Sequence, residues 1–272
     1  MNALLIVCFF TGMIHFAEAS AACLRIAGFR TKQIATSLSF VNATLLISRT
    51  SNMLQAPFLG GMVDLAINSG TVDQLAMNFR FIILSAFIGN VVALILSPWM
   101  VFLLTKAILR FEQTASVPRL IGWALWPPNM IKLFRSFRFP KLSSLKDLSI
   151  TGLPKTFLIL NALMASIYCI GVLASLYAGA MVPDYRITAT QLSAIVNGVA
   201  TILFTLMIDP VAAHITDQAI RGKRPESQIR SMVFYLLIGR IVGVLLLSQL
   251  FFLPAAHYIK DVTLIIKGTL TR

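Results

Sequence analysis

Residues 45–61 read LLISRTSNMLQAPFLGG. An apolar run enters Ser48-Arg49-Thr50, passes Asn52 and Gln55, and meets Pro57, Gly60 and Gly61. In lipid, this run puts an arginine at membrane depth beside a row of hydrogen-bonding side chains. In water it is an ordinary polar loop. The surrounding sequence chooses between the two.

Of the 272 residues, 57% are hydrophobic and 12% are charged, with a mean hydropathy of +0.83. A soluble domain is about half apolar and about one quarter charged, so the composition is that of an all-α integral membrane protein. The first apolar segment lacks a basic n-region and an obvious small-residue cleavage site, and it carries His15 and Glu18. It is therefore read as a retained helix rather than a signal peptide. Cys8, Cys23 and Cys169 fall in apolar segments without metal-ligand or CxxC spacing, so they are read as packing residues. No metal and no cofactor is expected.

A span needs about 20 mostly apolar residues. Six segments qualify, roughly 3–24, 33–55, 80–105, 156–181, 190–211 and 231–253. The second is the most polar, holding Thr36, Ser37, Ser39, Asn42, Thr44 and Ser48 ahead of Arg49. Such a helix must face protein or water, because lipid satisfies none of those groups. Most of the 23 Lys and Arg residues fall in alternate loops. Arg25, Arg30 and Lys32 follow the first span. Lys106, Arg110, Arg119, Lys132, Arg135, Arg138, Lys141, Lys146 and Lys155 follow the third. Arg221, Lys223, Arg224 and Arg230 follow the fifth. The other side receives only Arg80, Arg186, Lys260, Lys267 and Arg272. The net charge of +13 thus marks the cytoplasmic leaflet and its anionic lipids rather than nucleic acid, and both termini are expected outside. In the long inner loop, Trp123, Trp126, Phe134, Phe137 and Phe139 alternate with basic residues. Pro127-Pro128 marks the start of a short helix there, expected to lie in the headgroup plane.

The two halves are alike. NALLIVCFFTG from Asn2 resembles NALMASIYCIG from Asn161, and Asn42 falls opposite Asn197. FRFIILSAFIGNVVALIL from Phe79 aligns without gaps on IRSMVFYLLIGRIVGVLL from Ile229, placing Gly89 on Gly239 and Asn90 on Arg240. Three spans per half require opposite insertion, so the expected architecture is a 3+3 inverted repeat. Its expected parts are residues 1–110, a basic amphipathic loop at 111–153, and 154–272 ending in a short tail. Secondary transporters use this plan, with the site near the midplane between repeats.

Charges at depth point to the site. Arg240 lies about nine residues into its span, roughly 14 Å at 1.5 Å per residue, where an arginine costs at least ~2.5–3.5 kcal/mol. Either it lines a cavity or it ties helices together through Asp209 or a carbonyl. His15 and Glu18 share one helix face, with Arg25 two turns further on. Glu18 is read either as half of a structural ion pair or as a proton-carrying carboxylate. Arg49, framed by Ser48, Thr50, Asn52 and Gln55 and followed by helix breakers, is read as a wall of a polar cavity. Its guanidinium fork suits phosphate or carboxylate. Asp209-Pro210 ends the fifth span, with Asp209 expected to cap the following segment at 211–220.

LRIAGFRTKQIA, LISRTSNMLQAPFLGG and the early HFAE resemble the Amj family of bacterial lipid II flippases, the alternate to MurJ. The resemblance is most specific over residues 15–64, while length and span count match throughout. It implies a cytoplasmic-membrane protein whose cargo is lipid II, the undecaprenyl-pyrophosphate-linked peptidoglycan precursor, moved from the inner to the outer leaflet. By motif position it implicates Arg25, Arg30, Thr31, Asn42, Ser48, Arg49, Asn52, Gln55 and Pro57 in this sequence. The residues themselves agree in type. Arg25, Arg30, Asn42, Ser48, Arg49, Asn52, Gln55 and Arg240 are the expected substrate contacts, and His15 and Glu18 are either a proton-coupling pair or part of a structural ion pair. Rival readings are a transporter of a small anionic solute and a membrane enzyme acting on polyprenyl phosphates. The second would need a carboxylate cluster for metal or a histidine-based site, and the ten acidic residues are mostly scattered singly. No P-loop is present, so ATP hydrolysis is not expected of this chain.

Overall fold

The computed structural model describes residues 2–140 and 146–270. Lys141 and Arg272, counted above among the loop cations, lie outside the described residues. Among the described residues the chain is helical. α1 (Ala3–Ala21) runs almost directly into α2 (Cys23–Thr31). α3 (Ile34–Ser69) and α4 (Val72–Thr114) follow, then the short α5 (Val117–Leu125) and α6 (Pro127–Arg135). α7 (Lys155–Met181) opens the second half. α8 (Arg186–Leu203) passes through a π turn at Phe204–Ile208 into α9 (Asp209–Ile220). α10 (Glu226–Val242) passes through a second π turn at Gly243–Leu247 into α11 (Ser248–Leu270).

Five helical stretches are long and apolar enough to cross a membrane: Ala3–Thr31, Val72–Thr114, Lys155–Met181, Pro183–Ile220 and Glu226–Thr269. The protein is a multi-pass membrane protein. α3 is long enough at 36 residues, but its hydroxyl, amide and arginine content keeps it below that degree of apolarity. In chain order the long rods of the first half measure 29, 36 and 43 residues. Those of the second half measure 27, 38 and 44.

Three expectations from sequence need correction. The chain does not leave the helix at Pro57, since α3 continues unbroken to Ser69. A proline removes one backbone donor and crowds one carbonyl. Here a stripe of buried residues, Ser48, Ser51, Gln55, Leu59, Val63 and Ala66, holds the flanking turns against the bundle. That spacing of three to four keeps one face inward across the proline. The fifth span does not end at Pro210 either. Pro210 follows directly on the π turn at Phe204–Ile208, whose wider winding accommodates the missing N–H within a continuous rod. The third span is likewise longer than the sequence suggests. At 43 residues, α4 is about 65 Å long at 1.5 Å per residue, twice the hydrocarbon thickness of about 30 Å.

α1 packs against both α3 and α4, and α7 packs against α8 and against the α10–α11 rod. The close crossings rest on missing side chains. A Cβ on Gly89 would run into the Gly12 carbonyl, and one on Gly243 into the Ala162 carbonyl. Buried apolar residues form two clusters. One gathers Leu24, Ile108, Ile208, Ile229 and Leu237. The other gathers Val7, Phe79, Ile83, Leu173 and Phe252. The polar stretches of α1, α3, α4 and α10 fall between them. α6 begins at Pro127 as expected and is pinned to α4. Trp99 donates from its indole N–H to the Leu133 carbonyl at 3.1 Å and lies against Phe134 and Phe137. Phe134 and Phe137 pack on Trp99 with one face and stay exposed on the other, and Trp126 and Phe139 are exposed too.

Candidate functional site

Polar groups from four helices meet between the two apolar clusters. Glu18 on α1 and Arg240 on α10 form an ion pair at 2.8 Å, with their side chains only 10% and 12% exposed. Ser48 on α3 donates its hydroxyl to the other oxygen, Oε1, of Glu18 at 2.9 Å. Arg240 also reaches the Asn90 carbonyl oxygen from Nε at 3.4 Å. The Asn90 amide donates to the Ala86 carbonyl at 3.0 Å and lies 3.4 Å from His15 Nδ1. One turn further along α1, Thr11 donates to Gln55 Oε1 at 2.8 Å, and the Gln55 amide donates to Asn52 at 3.2 Å. Two charges this far from water are tolerable only when paired and hydrogen-bonded. Ser48 and Asn90 supply part of that shell.

This layer separates two spaces. On the side of α2 and α9 lies a cavity of about 880 Å³. Glu18 and Arg240 are its buried charged lining, with the more exposed Arg49 and Tyr168 beside them, and Arg25, Asp209 and Asp217 line it toward its mouth, where the Asp209 side chain is half exposed. One wall is α3, through Ile34, Leu38, Val41, Asn42 and Leu45. The opposite wall is the α8–α9 stretch, through Thr201, Phe204, Thr205 and Pro210. α3 hardly touches that stretch directly. On the other side of the layer is a pocket of about 110 Å³, lined by Thr11, His15, Asn52, Gln55, Cys169 and Asn197 among others. Ser48, Arg49 and Tyr168 line both spaces.

The structure brings some of the residues singled out from the sequence together and holds others apart, in pairings the sequence did not give. His15, Glu18, Ser48, Arg49, Asn52, Gln55 and Arg240 come together around the layer. Asn42 stands on the cavity wall. Arg25 lies at the mouth, where it pairs with Asp209 at 2.8 Å. Arg30 lines neither space and pairs with Glu226 at 2.7 Å. Glu18 therefore reaches neither Arg25 nor Arg30, although Arg25 is close in sequence: two turns along a helix separate them by about 10 Å. Asp209 belongs to an ion pair rather than a cap. It begins α9, and no side chain caps that helix. The charged groups lining the large cavity balance, with Arg25, Arg49 and Arg240 against Glu18, Asp209 and Asp217. Arg49 alone of these three arginines makes no ion pair with a described residue; Arg25 and Arg240 are held.

Sequence reasoning missed Thr11, Tyr168 and Asn161. Tyr168 lies within electrostatic reach of Glu18, Arg240 and Arg49. Asn161 donates to the Leu236 carbonyl at 2.9 Å on the cavity wall. The available signal for each is a single polar residue in an apolar span. Asn90 was singled out only as the repeat partner of Arg240, and it touches that residue.

Fold and site together define a helical multi-pass membrane protein with a deep cavity closed by an internal ion pair. The comparisons narrow this. The family model described as Amj, alternate to MurJ, matches residues 10–263. The curated protein "Lipid II flippase Amj" of Bacillus subtilis (strain 168) is 33% identical over 261 residues, covering 96% of each chain. The chain belongs to the Amj family. No solved structure matches it.

Proposed function

We propose that this protein is a lipid II flippase, carrying the undecaprenyl-pyrophosphate-linked peptidoglycan precursor from the inner to the outer leaflet of the cell membrane. The relative's name supplies the cargo. The observation that carries the mechanism is the cavity of about 880 Å³ between α3 and the α8–α9 stretch, with Arg49 and Arg240 on its lining. That volume falls within the range of about 300–1,000 Å³ typical of ligand sites. Its two walls stand apart, leaving a side through which a polyprenyl tail stays in lipid while the pyrophosphate enters. Guanidinium groups bind phosphate oxygens in paired hydrogen bonds. Ser48 and Asn42 on the cavity lining offer a hydroxyl and an amide for the rest of the head, and Asn52 and Gln55 stand beyond the partition in the small pocket.

In this reading α3 is a sixth span, tolerated in the membrane because its polar face borders the cavity rather than lipid. Both termini then lie outside, and the cavity mouth at Arg25 faces the cytoplasm with the basic loops. The halves form an inverted repeat. The matching order of rod lengths supports it, as does the shared packing of each first rod on its second and third. Asn90 and Arg240, aligned with each other in sequence, also meet in space, as residues beside a pseudo-twofold axis do. Arg25 at the mouth collects the anion, Arg49 receives it, and one half rocks against the other. Translocation requires no bond to be made or broken in the cargo.

The test is lipid II accessibility at the outer surface of cells in which this protein is the sole flippase. Outward exposure that disappears on depletion of the protein is the expected result. Exposure that persists unchanged after depletion would end the reading.

A further inference from the structure

The ion pair on the cavity lining does more than satisfy two charges. Glu18 belongs to the first half of the chain and Arg240 to the second, so their contact ties the halves together where the two spaces meet. Glu18 also holds Ser48, the neighbour of Arg49. A carboxylate bonded to a guanidinium on one side and a hydroxyl on the other occupies the position and partners an incoming phosphate oxygen would take. Arg49, adjacent and without an ion pair among the described residues, gives an anion a place to arrive before any contact is broken.

We propose that Glu18 is an internal stand-in for the cargo's anion. It holds Arg240 and keeps the partition closed until a phosphate group bound at Arg49 displaces it. This rests on the flippase reading for the identity of the cargo, but the exchange itself requires only an anion. The order of contacts follows: Arg49 first, Arg240 second. A buried arginine gives up one partner only as another arrives, because an unpaired charge there is costly. A bidentate anion meets that condition, and water does not. Displaced Glu18 stays beside Ser48 and Tyr168, both of which carry a hydroxyl. The partition then lacks its tie, and the small pocket joins the large cavity. An anion binding the untied state more tightly than the tied one shifts the balance toward it. Empty protein stays tied, which prevents a continuous polar path through the membrane when no cargo is present.

Cys169 and Cys23 provide the readout in the natural sequence. Cys169 lines only the small pocket, and Cys23 is fully buried in an apolar cluster. The full-length protein in detergent is treated with a small water-soluble maleimide, and modification of each cysteine is followed by peptide mass spectrometry. Inorganic pyrophosphate is the probe. Added pyrophosphate is expected to raise Cys169 labelling roughly tenfold, the scale of a modest population shift, with Cys23 unchanged. Glu18→Gln is expected to give the raised rate without pyrophosphate, and no further rise with it. Arg49→Ala is expected to show no rise in labelling on adding pyrophosphate, measured against its own pyrophosphate-free rate. The charge-swapped pair Glu18→Arg with Arg240→Glu is expected to restore slow labelling. Cys169 labelling that ignores both pyrophosphate and Glu18→Gln overturns the proposal. So does a rise in Cys23 labelling in step with Cys169, which would make the pair a structural tie only. Pyrophosphate that opens Cys169 in a protein unable to expose lipid II would sink the flippase reading and leave the exchange standing.

Discussion

The two spaces beside the Glu18–Arg240 pair share helices yet differ greatly in size, about 880 Å³ on one side and about 110 Å³ on the other. The difference lies in how α8 and its continuation pack. On the narrow side Gly171 of α7 lets Asn197 of α8 press in, leaving no room for even a Cβ. On the wide side the same rod passes into its π turn and faces α3 across open space. α3 shows the complementary behaviour. Its Gln55 is tied to α1 through Thr11 on the narrow side, whereas Asn42 and Leu38 line the chamber on the wide side. One end of the molecule is thus sealed by close packing and side-chain bonds, and the other is held open by their lack. A carrier that exposes its site alternately must exchange these two arrangements.

Substitutions test that contrast, and they rank by expected loss of stability. Arg240→Ala leaves Glu18 buried without its cation, a loss of about 3–5 kcal/mol. A sharply lowered thermal midpoint in detergent and failure to rescue flippase-deficient cells are expected. Gly89→Val forces a side chain against the Gly12 carbonyl, an overpacking cost of about 1–3 kcal/mol. It should lower the midpoint less and reduce folded yield on size exclusion. Gln55→Ala orphans the buried Thr11 hydroxyl at about 1 kcal/mol and loosens the sealed side. A small midpoint shift with faster Cys169 labelling would show that the seal is local to that bond. Arg49→Ala breaks no ion pair, so its midpoint should stay within about 0.5 kcal/mol of the wild type, while rescue is lost. Equal loss of stability in the two arginine variants would erase the distinction between an occupied and a waiting cation.

Much of this architecture was legible in the sequence because lipid imposes a simple rule. Apolar stretches of sufficient length become helices, and polar residues inside them must turn toward protein or water. That rule exposed Arg49, Arg240, Glu18 and His15. It gave no pairings, since Glu18 meets Arg240 across 222 positions and Arg25 meets Asp209 across 184. Such contacts depend on how rods are arranged side by side, which local pattern does not encode. It also misjudged Pro57 and Pro210. In water the carbonyl that a proline leaves without a donor is hydrated, so little holds the helix together across it. Within a packed bundle a continuous buried stripe or a π turn holds the helix through it. Thr11 and Tyr168 escaped notice for a related reason: a lone hydroxyl gains meaning only from what stands opposite.

The π turn at Phe204–Ile208 carries one residue more than an α turn needs. Tightening it into regular α geometry would rotate α9 by about 100° relative to α8. Asp209 would swing off Arg25, and the far wall of the chamber would present a different row of side chains. A surplus of one residue thus leaves room for a ratchet step that consumes no loop and breaks no helix, beside the ion pair of Arg25 with Asp209.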